Sequence, residues 1–486
     1  MNNVNNQFTE VTTKDYPSNR KADWIPREQR KKILLLSDDL RMQSGVGHQS
    51  KEIVLNTAQH FNWVQLGAAV QHPDEGKVFD MSDSVNAEVG ISDSLVKIYP
   101  STGYGTPDLL RFLLATEKPD AILHFTDPRF WEWLYRIEHE VRNICPIFFY
   151  HIWDDTPYPL YNENFYRSCD WIGNISKQTY NIVKQVWQKG KDKVEDWQIS
   201  YVPHGVDEKI FRKLPTPGLI QQAKERFFGQ DDVDFVVFWN NRNIRRKMTG
   251  DVILAFDHFT KQLPKADADK CRLLLHTQPV DENGTDLPRL IRDVTPNIRV
   301  VFSTDRVDPH QLNTFYNLAD VTINLASAEG FGLGTLESIA AETPIIVNVT
   351  GGLQDQCGFV DEKGEYLHPD KHFNYDFGTN ADGKYKEHGE WVLPCFPTQR
   401  GLIGSCPTPY IFDDRCDWKE AGDNILKFYK MTKEEREARG KAGREYALSE
   451  GFTARNMGNL FIKYMDEAFE KLSERKPRNF TIVKVV

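Results

Sequence analysis

The sequence predicts an α/β protein made of two Rossmann-like, doubly wound domains facing one another across a cleft. Three observations predict it. A chain of 486 residues exceeds what one ordinary core accommodates, so two domains or more are expected. Short apolar runs alternate with amphipathic stretches along most of the chain, as repeated βα units on a parallel sheet would. That alternation stops at "RKLPTPGLIQQAKERFFGQDDVD" and then restarts, which marks a linker between two such units.

Taken in order, residues 1–30 are polar and irregular and predict a flexible arm. The N-terminal domain is expected over 31–212. It opens with "KKILLLSDDL" (Lys31–Leu40), an apolar run of the kind buried in parallel sheets. "SGVGHQSKEIVLNTAQHF" then reads as a glycine loop opening a helix, with Ile53, Val54 and Ala58 at helical spacing. Strands follow at "NWVQLGAAV", "DAILHF", "PIFFYHIW", "DWIGNIS" and "ISYVPHG", separated by helical segments. The C-terminal domain is expected over 213–461, with strands at "FVVFWNN", "RLLLHTQ", "RVVFST" and "VTINLAS". Residues 356–410, rich in Gly, Asp, Pro and His, interrupt the pattern and predict an inserted lid. The closing helix, about 462–486, is expected to pack back on the N-terminal domain. "DVD" (Asp232–Asp234) precedes a strand rather than ending one, so it reads as a turn and not as a metal motif.

Composition narrows the function classes. Hydrophobic residues make up 40% and charged residues 27%, as in soluble globular proteins. Sixty Lys and Arg against 70 Asp and Glu give −10, which argues against a surface devoted to nucleic acid or anionic lipid. A local basic patch, "NRKADWIPREQRKK" (Asn19–Lys32) with Trp24, stays open as a nucleic-acid contact, against the plainer reading of a solvated arm. "MNNVNNQFTE" lacks the features of a signal peptide, and no apolar run approaches the roughly 18 residues of a membrane span. A cytoplasmic protein is expected. The seven cysteines fit reduced thiols better than a disulfide framework. Cys357, Cys395, Cys406 and Cys416 lie near His368, His372 and His388, but without CxxC spacing they read as ordinary thiols, and no metal is expected.

The chemistry concentrates in "ASAEGFGLGTLESIAAETPIIVNVTGG" (Ala326–Gly352). Glu329 and Glu337 bracket seven residues, three of them glycine. Gly330, Gly332 and Gly334 would let the backbone approach a ligand, and the following helix offers free N–H groups to an anion. Carboxylates at both ends suit hydroxyls rather than phosphate. A ligand with hydroxyls at either end and phosphate between them is a nucleotide-diphosphate sugar.

"EGFGLGTLE" resembles the E-x7-E signature of retaining GT-B glycosyltransferases of family 4. "SGVGHQSKEI", "PHGVDEKIF", "NNRNIRRKMTGDVILAF" and "TGGLQD" resemble further motifs of that family, in the same order. Departures are Leu325-Ala326 before the first glutamate, Asn241 before Arg242 and Met248 after Lys247, and they bear on donor identity. "KPDAILHFTDPRFWEWLYRIEHE" and "SDDLRMQSGVG" resemble a tailed-phage-encoded subgroup, which would place the enzyme in a host cytoplasm. The resemblance implies a retaining transfer by front-face attack. Glu337 would hold the ribose and Glu329 the transferred sugar, with Gly330, Phe331, Gly332 and Leu333 lining the donor. Arg242 and Lys247 would neutralise the diphosphate, so that neither metal nor cofactor is needed. Gly45 and Gly47 would approach the donor from the facing domain, and His151 would contact the sugar. Asp127, Asp154 and Asp155 are acceptor-side candidates. The acceptor is left open between a glycan, a small molecule and modified DNA, including hydroxymethylated bases. A non-catalytic nucleotide-sugar binding protein is the competing class.

Overall fold

The structure is a computed structural model and describes residues 18–69, 71–188, 193–229 and 232–474. The N-terminal sheet contains β1 (Lys31–Asp38), β2 (Phe61–Ala69), β3 (Phe79–Asp80), β4 (Val96–Thr102), β5 (Ala121–Phe125), β6 (Ile147–His151), β7 (Trp171–Asn174) and β8 (Ile199–Tyr201). Their order is β3-β4-β2-β1-β5-β6-β7-β8. All neighbours run parallel except the two-residue β3, which pairs antiparallel with β4 at the edge. β1 is the central strand, with Ile33 paired to Trp63 on one side and to Ala121 on the other. Its residues Ile33 to Leu36 are fully buried because helices cover both faces, which is why the sequence reads as an unbroken apolar run.

The C-terminal sheet contains β9 (Phe235–Asn240), β10 (Cys271–His276), β11 (Val300–Ser303), β12 (Val321–Asn324), β13 (Ile345–Asn348) and β14 (Val392–Cys395). Its order is β11-β10-β9-β12-β13-β14, all parallel. A separate antiparallel hairpin, β15 (Pro397–Ser405) and β16 (Thr408–Cys416), follows. β14 and β15 fall inside the segment 356–410 that the sequence predicted as irregular. β14 sits at the sheet edge, where the missing N–H of Pro394 costs nothing, so a short strand with a proline gave no sequence signal.

One expectation about the ends needs adjusting. Residues 18–30 are not a loose arm. Arg20 donates to the Leu55 carbonyl at 2.7 Å and to Gln59 Oε1 at 3.0 Å. Arg30 donates to the Ala58 carbonyl at 2.9 Å and to Asp93 at 2.6 Å, and Trp24 Nε1 reaches Asp93 at 3.3 Å. Two arginines of the basic patch, Arg20 and Arg30, are therefore spent on internal acceptors, while Lys21, Arg27 and Lys31 stay exposed. Residues 1–17 lie outside the described residues. The final helix runs from Ala454 to Glu474. It packs on the helix Gly45–Thr57, with Arg455 donating to the Asn56 carbonyl at 2.7 Å and His60 Nε2 lying 2.8 Å from Asp466. Residues 475–486 of the expected 462–486 lie outside the described residues.

Candidate functional site: an interdomain cleft

In each sheet the strand order reverses once, between β1 and β5 and between β9 and β12. Loops at the carboxyl ends of these strands part there and leave a crevice, the usual ligand position in open α/β sheets. The two crevices face each other and enclose a cleft of about 1070 Å³.

On the N-terminal side, β1 runs into the loop that starts the helix Gly45–Thr57. Ser44 caps this helix, accepting from the Gly47 N–H at 3.0 Å while its hydroxyl donates to Asp38 at 2.7 Å. Gly47 is required by packing: a Cβ there would lie 2.7 Å from the Met42 carbonyl oxygen. Gly45 instead faces the cleft, where its nearest neighbour is Leu333 Cδ1 of the other domain at 3.8 Å.

On the C-terminal side, the chain leaves β12 and turns at Gly332, whose φ of +89° is left-handed and disfavours any other residue. The helix Leu333–Ala340 starts there, its free N–H groups directed at the cleft. Glu329 precedes this turn. Its carboxylate contacts the Lys247 ammonium and lies 3.8 Å from Arg246. Burial opposes ionisation of Glu329, but the Lys247 and Arg246 charges outweigh it and hold the carboxyl below its ordinary range. Glu337, one turn into the helix, accepts from the Tyr316 hydroxyl at 2.7 Å, and Asn240 donates to that hydroxyl at 2.9 Å. Burial pushes Glu337 up to about 7, with the Tyr316 hydrogen bond offsetting it in part.

The predicted residues divide into those that gather at the cleft and those that do not. Gly45, Lys247, Gly330, Phe331, Gly332 and Leu333 line it, together with both glutamates. Arg242 lines the mouth, but its guanidinium is turned to Asp281 at 2.8 Å and is two-thirds exposed. The cation beside Glu329 and Asp154 is Arg246, which the sequence reading passed over; it lies 3.6 Å from Asp154 and donates to the Ala328 carbonyl at 2.7 Å. Its only signal was the doublet Arg245-Arg246 ahead of Lys247. Tyr316 was also missed, because it comes from a helix distant in sequence.

His151, expected as a sugar contact, borders a second cavity beside the cleft rather than the cleft itself. Its side chain is buried, with Nδ1 3.3 Å from Asn174 Oδ1 and Nε2 3.0 Å from the Tyr166 hydroxyl. Burial pushes it down to about 3, so the ring is neutral and both nitrogens are engaged within the wall. Asp155 is not on the acceptor side. It is fully buried, accepts from Thr156 N at 2.7 Å and Gln178 at 2.9 Å, and is pushed well above the carboxylate range by burial and the nearby Asp414 charge. Asp127 caps the turn Pro128–Trp131 and pairs with Arg129. Asp154 is half-buried beside Arg246 and lines the cleft.

A second cavity of about 720 Å³ adjoins the cleft and shares Ile152, Asp154 and Arg246 with it. Asp127, Arg129 and His151 line it from one domain, Arg415 and Phe412 from the hairpin. Among the described residues, no group of three or more His, Cys, Asp or Glu side chains could hold a metal ion, and no helix is long and apolar enough to cross a membrane.

The architecture is found in solved structures along nearly the whole chain. Sucrose-phosphate synthase of Thermosynechococcus elongatus superposes with a TM-score of 0.63 at 14% identity, over 91% of this chain and 100% of that one. HepE of Anabaena in complex with UDP-glucose superposes with a TM-score of 0.60 at 13% identity, over 92% and 100%. At such identities the likeness defines the fold, which is GT-B. Residues 213–365 match the family described as Family 4 Glycosyltransferase in conflict systems. The chain is 27% identical over 189 residues to alpha-monoglucosyldiacylglycerol synthase of Acholeplasma laidlawii, 38% of this chain and 43% of the relative. It is 26% identical over 207 residues to D-inositol 3-phosphate glycosyltransferase of Stackebrandtia nassauensis, 41% of this chain and 44% of the relative. The matched stretches thus span under half the length of these curated relatives. The chain thus has the GT-B fold, and its residues 213–365 are similar to family 4 glycosyltransferases.

Proposed function

We propose that the protein moves a sugar from a nucleotide-diphosphate sugar to an acceptor hydroxyl, with retention and without a metal. The observation that carries this reading is the buried contact between Lys247 and Glu329, on the same cleft wall as Glu337. A cation and two carboxylates around a helix N-terminus suit a ligand that is anionic in the middle and hydroxylated at both ends.

In this reading Glu337 accepts from the ribose hydroxyls, replacing its bond to Tyr316. Glu329 accepts from the sugar being transferred, while the N–H groups from Gly330 to Leu333 and the backbone at Gly45 approach the diphosphate. Lys247 and Arg246 stabilise the negative charge that grows on the leaving phosphate as the glycosidic bond breaks. Arg242 joins them by exchanging Asp281 for donor phosphate. With these cations in place the chemistry asks for no metal. Glu329 is neutralised by its two cations, which makes it a weak nucleophile and favours front-face attack over a covalent intermediate. UDP-glucose bound to HepE, a protein of the same fold, supports this class of donor.

Calorimetric titration with a panel of nucleotide-diphosphate sugars tests the reading. At least one should bind to the wild type in the presence of EDTA, and Lys247→Ala should abolish its binding. Failure of every donor to bind would overturn the reading. NMR of the product decides the anomeric configuration.

A further inference from the structure

We infer that the 720 Å³ cavity beside the cleft is an acceptor site built by the β15–β16 hairpin, and that it takes a neutral polyhydroxylated ligand of the saccharide class. This rests on the glycosyl-transfer reading above and names its acceptor.

The hairpin is fixed to both domains at its base. Phe412 N donates to the Thr156 carbonyl at 2.8 Å, and Tyr161 donates to the Tyr410 carbonyl at 2.7 Å, both in the N-terminal domain. On the other side, Asp414 N donates to the Ser327 carbonyl at 3.2 Å and Asn348 donates to the Asp414 carbonyl at 2.7 Å. Within the hairpin, Arg400 clamps the buried Asp414 with bonds of 2.6 and 3.1 Å. This anchoring holds residues 403–413 as one wall of the cavity, opposite the loop 127–129.

Position links the cavity to the reaction. Asp154 and Arg246 belong to both spaces, and Arg246 is the cation beside Glu329. An acceptor hydroxyl entering from the cavity meets the donor sugar at this junction. Its oxygen bonds to the anomeric carbon as the carbon–oxygen bond to phosphate breaks, and its proton passes to the departing phosphate oxygen.

Charge selects the ligand class. The lining carries four arginines and four aspartates. Three pairs are already matched: Arg129 with Asp127, Arg415 with Asp251 at 2.8 Å, and Arg246 with Asp154 at 3.6 Å. Arg245 and Asp413 complete the balance. The four positive and four negative charges cancel, so the lining offers a phosphorylated acceptor no net attraction, and an acyl chain would have to bury beside all eight, which is costly. Hydroxyls that donate to aspartate and accept from arginine fit without breaking a pair. Phe412, half-buried on the hairpin, supplies a flat apolar surface for the C–H face of a sugar ring. The volume falls in the range of about 300–1,000 Å³ typical of small-molecule sites.

The test uses the full chain with the nucleotide sugar that binds most tightly. Candidate acceptors are the methyl glycosides of maltose, cellobiose and lactose, glucose 6-phosphate, and vesicles containing diacylglycerol; products are read by mass spectrometry. Transfer to a neutral disaccharide is expected, with its KM raised about tenfold or more in Phe412→Ala and in Asp413→Asn, and restored in part by Phe412→Leu. Transfer only to the phosphorylated sugar or only to the lipid would overturn the inference, as would a disaccharide KM that neither variant moves. Donor binding with no saccharide accepted overturns the inference alone. Absence of donor binding removes the glycosyl-transfer reading beneath it.

Discussion

The cleft and the adjoining cavity are built from different material. Every charged group at the centre of the cleft hangs from a strand end or the first turns of a helix on the C-terminal sheet, and Lys247, Glu329 and Glu337 are all buried. The cavity is walled by a hairpin outside both sheets and by surface ion pairs such as Arg415 with Asp251. A buried charge has no water to fall back on, so its partner is fixed; an exposed pair can be traded for a ligand at little cost. The contrast suggests a donor side held rigid by the sheet and an acceptor side set by an insertion.

The largest effect that sharpens this contrast comes from Lys247→Ala. It leaves the buried Glu329 carboxylate with Arg246 alone, 3.8 Å away, and should lower stability by about 3 kcal/mol in denaturant unfolding besides removing donor binding. Lys247→Met combined with Glu329→Gln should recover much of that stability but none of the binding. Arg400→Ala comes next. It leaves the buried Asp414 without its clamp, so it should cost about 3 kcal/mol and open the hairpin to proteolysis. Equal protease resistance in variant and wild type would break the idea that this clamp holds the cavity wall.

Glu337 offers a pH test of the rigid side. The carboxylate is the form that accepts ribose hydroxyls, and burial pushes the group up to about 7. Donor affinity should therefore rise between pH 6 and 8 and level off above. Glu337→Gln should weaken binding by about tenfold to a hundredfold and flatten this profile. A profile unchanged in the variant would detach Glu337 from the donor. The smallest effect is expected for Arg242→Ala. Its pair with Asp281 is exposed, so stability should change by under about 1 kcal/mol, while donor KM rises several-fold.

Much of the cleft's C-terminal wall was legible in the sequence because its signals are local. Glu329 and Glu337 are separated by one loop and one helical turn, and Gly332 marks the turn that aims the helix. Lys247 follows an apolar strand by a fixed short distance. The hairpin was not legible, since "TQRGLIGSCPTPYIFDDRC" combines glycine, proline and exposed apolar residues that resemble a loop. Arg246 could not be told from Arg242 either. A three-residue turn, Arg245–Lys247, decides which of the two faces Glu329, and spacing alone carries no record of that direction.

The sequence by itself determined the two parallel sheets, because a strand buried on both faces must be apolar throughout and a helix between such strands must be amphipathic. It also determined which loop would carry the two glutamates. Only the tertiary structure decided what each polar side chain does there. His151 and Asp155 were drawn into the wall, Arg20 and Arg30 into the N-terminal domain, and Arg246 was turned towards Glu329. The reason is physical: burial is read from a residue's type and period, whereas the partner of a polar group comes from whichever distant segment lies within hydrogen-bond reach after packing.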